Sequence, residues 1–237
     1  MIILKTAAAL VSTFLLAAVA APPSPQQLNG FPFTDETLNY SVNWPSGLSL
    51  GEGHLSAKHS SAGWNFELNL DAGVPGYPVK DSYLSSATND FCSTIFERTS
   101  QHGSRQTDEK ETVDSQGLTA KRVTLKGGGE STFAVPGCVK DALTFLYFTR
   151  RELGQGRVPP AQQTLFGNLY QTRLEYSGAQ VIPVGGKGVE TDKIISSMQG
   201  PSSNLKFEMY FARDAARTPL LIKVMLAMGP FSMELVR

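Results

Sequence analysis

The sequence predicts a mainly β fold: a curled antiparallel sheet or half-barrel packed around one principal apolar helix. Three observations carry this expectation. Short runs of period-two alternation recur along most of the chain, turn residues punctuate them, and a single stretch near the middle has helical spacing and a capping residue.

Before the first of these runs lies a segment of another kind. Lys5 precedes an apolar run from Ala7 to Ala20, and Ala18-Val19-Ala20 offers the small residues a signal peptidase reads. The reading is a secretory signal peptide over residues 1–20, an extended Pro- and Gln-rich leader over 21–32, and a single β-rich exported domain over 33–237. The run is interrupted by Ser12 and Thr13 and meets Pro22-Pro23, which makes it short for a stable anchor. No stable transmembrane span is expected after cleavage, and the expected location is the periplasm or outside the cell.

The first strand is read over Leu38–Trp44, with Leu38, Tyr40, Val42 and Trp44 on one face. Pro45-Ser46-Gly47 turns the chain into a second strand, kinked or bulged at Gly51 to Gly53. Trp64, Phe66, Leu68 and Leu70 share a parity and form a third, ended by Asp71-Ala72-Gly73. From Val79 to Ser104 the alternation blurs and a long irregular excursion is expected. Strands around Glu111–Val113 and Leu118–Leu125 flank the turn Asp114-Ser115-Gln116-Gly117, and Gly127-Gly128-Gly129 opens a loop before Ser131–Val135.

The helix is expected from Asp141, as its cap, to Glu152, with Gly154 just past its end. Ala142, Leu143, Phe145, Leu146, Tyr147 and Phe148 wrap most of its circumference, which calls for cover on more than one side. Strands follow at Leu165–Tyr170, Thr172–Tyr176, Val181–Val184, Lys193–Met198, Leu205–Phe211 and Leu220–Met228, with Phe231, Met233 and Leu235 alternating last. Turns are read at Ser177-Gly178, Gly185 to Gly188, Gly200-Pro201 and Gly229-Pro230. About ten strands in one sheet are expected.

Ordered pieces of this pattern resemble a bacterial envelope family, the domain-of-unknown-function family numbered 3108. They are Phe33-Thr34-Asp35-Glu36-Thr37-Leu38-Asn39-Tyr40-Ser41-Val42-Asn43-Trp44 with Gly51 and Gly53; Asp141-Ala142-Leu143 through Tyr147, Phe148, Thr149 and Arg150; and Phe211-Ala212-Arg213-Asp214 with Arg217, Pro219 and Gly229. The likeness spans about residues 31 to 237. It implies an exported β-rich protein with a fold similar to the half-barrels of lipoprotein carriers, and it implies no reaction. Where relatives often begin the first strand with Gly-Glu, this chain has Asp35-Glu36.

Composition excludes several functions. Lys plus Arg and Asp plus Glu both total 21, and no basic cluster suits nucleic acid. Cys92 and Cys138, in an exported chain, are a candidate disulfide worth about 4 kcal/mol by loop entropy; two buried thiols or one reactive thiol are the alternatives. His54, His59 and His102 lack zinc-ligand spacing, no metal or cofactor is expected, and no hydrolase elbow or H-E-x-x-H motif occurs. Asp35, Glu36, Glu52, Glu175, Glu190 and Asp214 are the acids available to a carbohydrate-active enzyme, although their spacing singles out no pair. Asp214 with Arg217 is read as a structural polar pair.

The function expected is therefore non-catalytic: binding or shielding a lipid, glycolipid or lipid-modified protein of the envelope. The candidate apolar pocket is walled by Trp44, Trp64, Phe66, Phe145, Phe148, Tyr176, Phe207 and Phe211. A structural or assembly protein working by contact with another envelope protein is the alternative, and the carbohydrate-active enzyme is the third class.

Overall fold

The computed structural model describes residues 35–74, 76–201, 203–226 and 229–236, so the expected signal peptide, leader, Phe33 and Thr34 lie outside the described residues. The first half is a meander of eight strands: β1 (Glu36–Asn43), β2 (Ser49–Ser60), β3 (Gly63–Val74), β4 (Tyr77–Ala87), β5 (Ser93–His102), β6 (Arg105–Asp114), β7 (Thr119–Thr124) and β8 (Glu130–Ala134). The short β9 (Lys140–Asp141) leads into the helix α1 (Ala142–Gly154). A second meander returns through β10 (Gln162–Leu165), β11 (Leu169–Val184), β12 (Lys187–Gln199), β13 (Asn204–Ala212), β14 (Pro219–Leu226) and β15 (Gly229–Leu235).

All fifteen described strands form one sheet in the order β8-β7-β6-β5-β4-β3-β2-β1-β15-β14-β13-β12-β11-β10-β9. The pairings are antiparallel apart from β9 with β10. Each meander is local, so the long-range event that unites them is the pairing of β15 with β1, with Tyr40 opposite Leu235 and Val42 opposite Met233.

This corrects the expectation of a curled sheet or half-barrel packed around one principal apolar helix. The sheet is open, with β8 and β9 at its two ends, and it is neither closed nor strongly curled. The helix is short, at 13 residues, and buries Thr144, Thr149, Arg150 and Glu152 beside Leu143, Phe145, Tyr147 and Leu153. Hydrophobic residues wrap most of its circumference, but its buried surface also includes polar groups that require hydrogen-bonding partners.

The early alternation holds where the inward positions are apolar. Tyr40 and Val42 are buried on β1, and Trp64 and Phe66 on β3. The 45–47 turn closes by a Gly47 N–H to Trp44 C=O bond of 2.8 Å. The register shift on β2 falls between Ser49 and Gly51, at the edge of the glycine stretch. Gly51 has φ +154°, and a Cβ there would lie 2.0 Å from the Asp71 carbonyl oxygen on β3, so two backbones meet at a distance only glycine allows.

The region from Val79 to Ser104 is not an irregular excursion: β4 and β5 pair antiparallel from Val79 opposite His102 to Ala87 opposite Ser93, with one register shift between Ser86 and Ala87. Its inward positions include Asp81, Ser85 and Ser93, all buried, and polar residues on the core face conceal the alternation. Leu165–Tyr170 is likewise no strand, since residues 166–168 form the tight turn between β10 and β11. Ser177-Gly178 is a bulge inside the single long β11 rather than a turn. Gly154 lies in the last turn of α1, and Gln155 is the C-cap.

Candidate functional site

The start of α1 is fixed by one carboxylate. Asp141 Oδ1 accepts the backbone N–H groups of Leu143 (2.9 Å) and Thr144 (3.0 Å), while Oδ2 accepts the hydroxyls of Ser85 (2.6 Å), Ser93 (2.5 Å) and Thr144 (2.9 Å). It caps the helix and ties it to β4 and β5 at once. Burial pushes its carboxyl above the usual range, and the hydroxyl and amide donors pull it back. The Cys92–Cys138 disulfide stands beside this network with a Cα separation of 4.6 Å, and the Ser93 N–H donates to the Val139 C=O at 2.9 Å. Among the described residues there is no free cysteine, so the paired reading of the two cysteines holds.

One helical turn from its end, α1 carries Arg150, which is fully buried. Its guanidinium forms a two-pronged pair with Glu36 on β1, Nη2 lying 3.1 Å from Oε2, and its Nε donates to the Ala216 C=O at 3.1 Å. The same group lies over the Tyr147 ring, 4.7 Å from its centre. Tyr40, below it on β1, donates to the Pro219 C=O at 2.8 Å, and burial pushes its hydroxyl pKa up. Through these bonds α1 holds β1 and the β13–β14 connection together.

Apolar side chains surround this polar axis. Leu143 and Tyr147 pack with Trp64, Phe66, Phe91 and Phe96 from the first meander, whereas Phe145 and Leu153 pack with Leu174, Ile194, Met209 and Phe211 from the second. The Phe66 and Tyr147 rings stack with centres 4.2 Å apart. Of the eight expected pocket residues, Trp64, Phe66, Phe145 and Phe211 are buried in this packing and Phe148 and Phe207 lie against it partly buried. Trp44 instead meets Phe231 edge-on at 4.7 Å, and Tyr176 is 49 % exposed on β11, where it bonds to Asp192. The aromatic set therefore fills a core more than it lines a cavity. What remains accessible on the α1 side of the sheet is a band of partly buried aliphatic groups, among them Leu38, Leu50, Leu68, Leu70, Leu146 and Ile222.

The expected Asp214–Arg217 pair meets through the backbone, with the Arg217 N–H 3.2 Å from the Asp214 C=O. The Asp214 carboxylate accepts from the Thr218 N–H and hydroxyl, and the Arg217 guanidinium reaches Asp192 at 2.6 Å. The pair is thus divided between a turn cap and a separate ion network. The acids named for sugar chemistry do not share one partner set: Asp35 accepts from the His59 N–H, Glu36 holds Arg150, Glu52 faces His54, and Glu190 faces Arg213. Among the described residues, no group of three or more His, Cys, Asp or Glu is placed to hold a metal ion.

Several polar groups had no signal in the one-dimensional pattern. His102 reaches the buried Asp81 at 2.9 Å. Glu111 on β6 is buried with both carboxyl oxygens lacking a hydrogen bond. Burial pushes its carboxyl up to about 7, against the pull of the Gly167 backbone and the Arg98 and Arg122 guanidinium groups. The Arg122 guanidinium holds the Gly167 carbonyl, and Arg98 lies 5.1 Å from the centre of the Phe166 ring, so the β10–β11 turn rests on β5 to β7. The charged residues Asp108-Glu109-Lys110-Glu111 follow one another on β6 without a period-two pattern, so the inward member is visible only in three dimensions.

The family described as "Protein of unknown function (DUF3108)" matches residues 39–236. No curated protein matches the chain. Among solved structures, a Brucella abortus protein described as a beta-barrel-like protein of domain of unknown function DUF1849 is similar, with a TM-score of 0.59 and 10 % identity over 85 % of this chain and 95 % of that one. At that identity the likeness is one of fold.

Proposed function

The chain belongs to that family, and with membership as the premise we propose that it is a non-catalytic exported protein of the cell envelope that binds or shields an apolar component, a lipid, a glycolipid or a lipid-modified protein. The observation that supports this reading most is the band of partly buried aliphatic side chains beside α1, to which β1, β2, β3, β14 and the helix itself contribute. Such a surface gains by covering apolar area that water would otherwise touch, at about 25 cal/mol per Å². Residues 1–20 support export through their signal-peptide pattern. Among the described residues no helix is long and apolar enough to cross a membrane.

Native mass spectrometry of gently purified protein tests the proposal. The expected result is a co-purifying amphiphile that is lost from Leu70→Glu and Ile222→Glu while the far-ultraviolet spectrum is kept. A ligand-free wild type that also fails to take up a long-chain fatty acid would sink it.

A second reading rests on a different feature. Among the described residues the edge strand β8 pairs only with β7, which leaves the backbone groups of its other side available for strand addition by an envelope protein. In-cell crosslinking from Thr132, exposed on β8, distinguishes the two: a protein partner there with no amphiphile bound favours assembly.

A further inference from the structure

The disulfide has a neighbour that a purely structural bridge does not require. Lys140, only 6 % exposed, sets its Nζ 3.3 Å from the Cys138 carbonyl oxygen and 3.6 Å from the Cys138 Sγ, with the Phe148 ring centre 4.4 Å away. Among the described residues it makes no ion pair. A buried ammonium that faces a sulfur, a carbonyl and an aromatic ring lacks a full counter-charge. Cys138 itself is exposed. We propose that Cys92–Cys138 is a reversible thiol–disulfide exchange site in which Lys140 makes Cys138 the leaving thiolate and, once reduced, the reactive thiol.

The step balances with a dithiol reductant as co-reactant. A reductant thiolate attacks Cys92 Sγ, the bond between the two cysteine sulfurs breaks, and its electron pair goes to Cys138 Sγ, where the Lys140 ammonium meets the new charge. The reductant's second thiol gives up its proton and attacks the mixed disulfide. Cys92 leaves as a thiolate and takes up a proton; the reductant departs as its own disulfide, two electrons poorer. A leaving group of lower pKa departs faster, so the ammonium determines which sulfur is attacked.

The other charged groups near the bridge do not supply the missing anion. Arg151 on α1 packs over Phe91 and Phe148, at 4.9 and 4.8 Å from their ring centres, and adds positive charge. Glu152 is already engaged by Arg151 at 3.4 Å and Arg157 at 2.8 Å. Asp90 is exposed in the turn before Cys92. Desolvation, followed by the Arg151 charge, lowers the Lys140 pKa, Glu152 offsets this only in part, and a neighbouring thiolate relieves both effects.

The test uses the full mature chain. In Cys92→Ser, the rate at which iodoacetamide alkylates Cys138 is followed against pH. The midpoint is expected below the ordinary thiol value of about 8.5. Lys140→Gln should raise it and slow alkylation at pH 7 by roughly 3- to 10-fold, and Lys140→Arg should restore it. In the oxidised chain, which needs no cysteine replacement, Lys140→Gln should slow reduction by dithiothreitol by a similar factor, and the adduct trapped with 2-mercaptoethanol should map to Cys92. An unchanged midpoint and reduction rate in Lys140→Gln, or an adduct on Cys138, overturns the proposal.

Discussion

Arg150 shows how much one side chain can be asked to hold. A guanidinium taken fully out of water is tolerated only with good partners, and here Glu36, the Ala216 carbonyl and the Tyr147 ring provide them. Arg150→Met is expected to lower stability by about 3–5 kcal/mol, because Glu36 is left uncompensated. Replacing both residues, in Glu36→Met with Arg150→Met, should recover much of that loss. Urea unfolding of the two single variants and the double variant measures the coupling.

Glu111 makes a prediction of opposite sense. Its folded value of about 7 lies above the ordinary 4.5, so the folded protein binds the proton more tightly than the unfolded chain does. Its contribution is therefore fully present below about pH 4.5 and is lost as the pH rises through about 7, amounting to roughly 3 kcal/mol. Glu111→Gln should flatten the decline in urea midpoint between pH 5 and pH 8 and be the more stable protein at pH 8. An unchanged slope would show that the carboxyl finds solvent or a donor.

Among the elements, α1 depends most on what is outside it. Its 13 residues are marginal as an isolated helix, and its first turn has no acidic residue of its own. Asp141→Ala removes the cap and leaves three buried hydroxyls without their acceptor, which should cost about 2–4 kcal/mol. Asp141→Asn keeps an acceptor for the two amides and should cost less. At the β2–β3 contact, Gly51→Ala places a methyl against the Asp71 carbonyl, so a lowered melting temperature is expected there, in contrast to a substitution at Gly129, where a Cβ meets nothing within 4 Å.

The two meanders become one sheet through β15. It lies between β1 and β14, with Glu234 opposite Ser41 on one side and Leu221 on the other. Glu234→Pro removes a backbone donor from this seam, and the urea midpoint should fall for near-ultraviolet signals from both halves together. Separate transitions for Trp64 and the β11–β14 aromatics would show that α1, not the seam, couples the halves. The apolar band proposed to bind an amphiphile draws on both meanders, so under that proposal the same variant should also lose the bound amphiphile.

Elements with apolar inward residues were legible in one dimension: β1, β3, the Asp114 turn and the Asp141 cap all follow from local spacing. β4 and β5 were not, because Asp81, Ser85 and Ser93 occupy core positions whose partners, His102 and Asp141, lie far along the chain. The candidate pocket residues divide between core and surface for a related reason. Alternation says that Trp64 and Tyr176 point out of their strands, but not which of the two has a neighbouring layer to cover it. A signal-like N-terminus, the β-rich pattern, the helix and its cap are readable in one dimension, because they depend on residues close together in the chain. That the sheet stays open, that Arg150 pairs with Glu36 and that Lys140 stands against the disulfide emerge in three dimensions, since each depends on which distant groups share a space from which water is excluded.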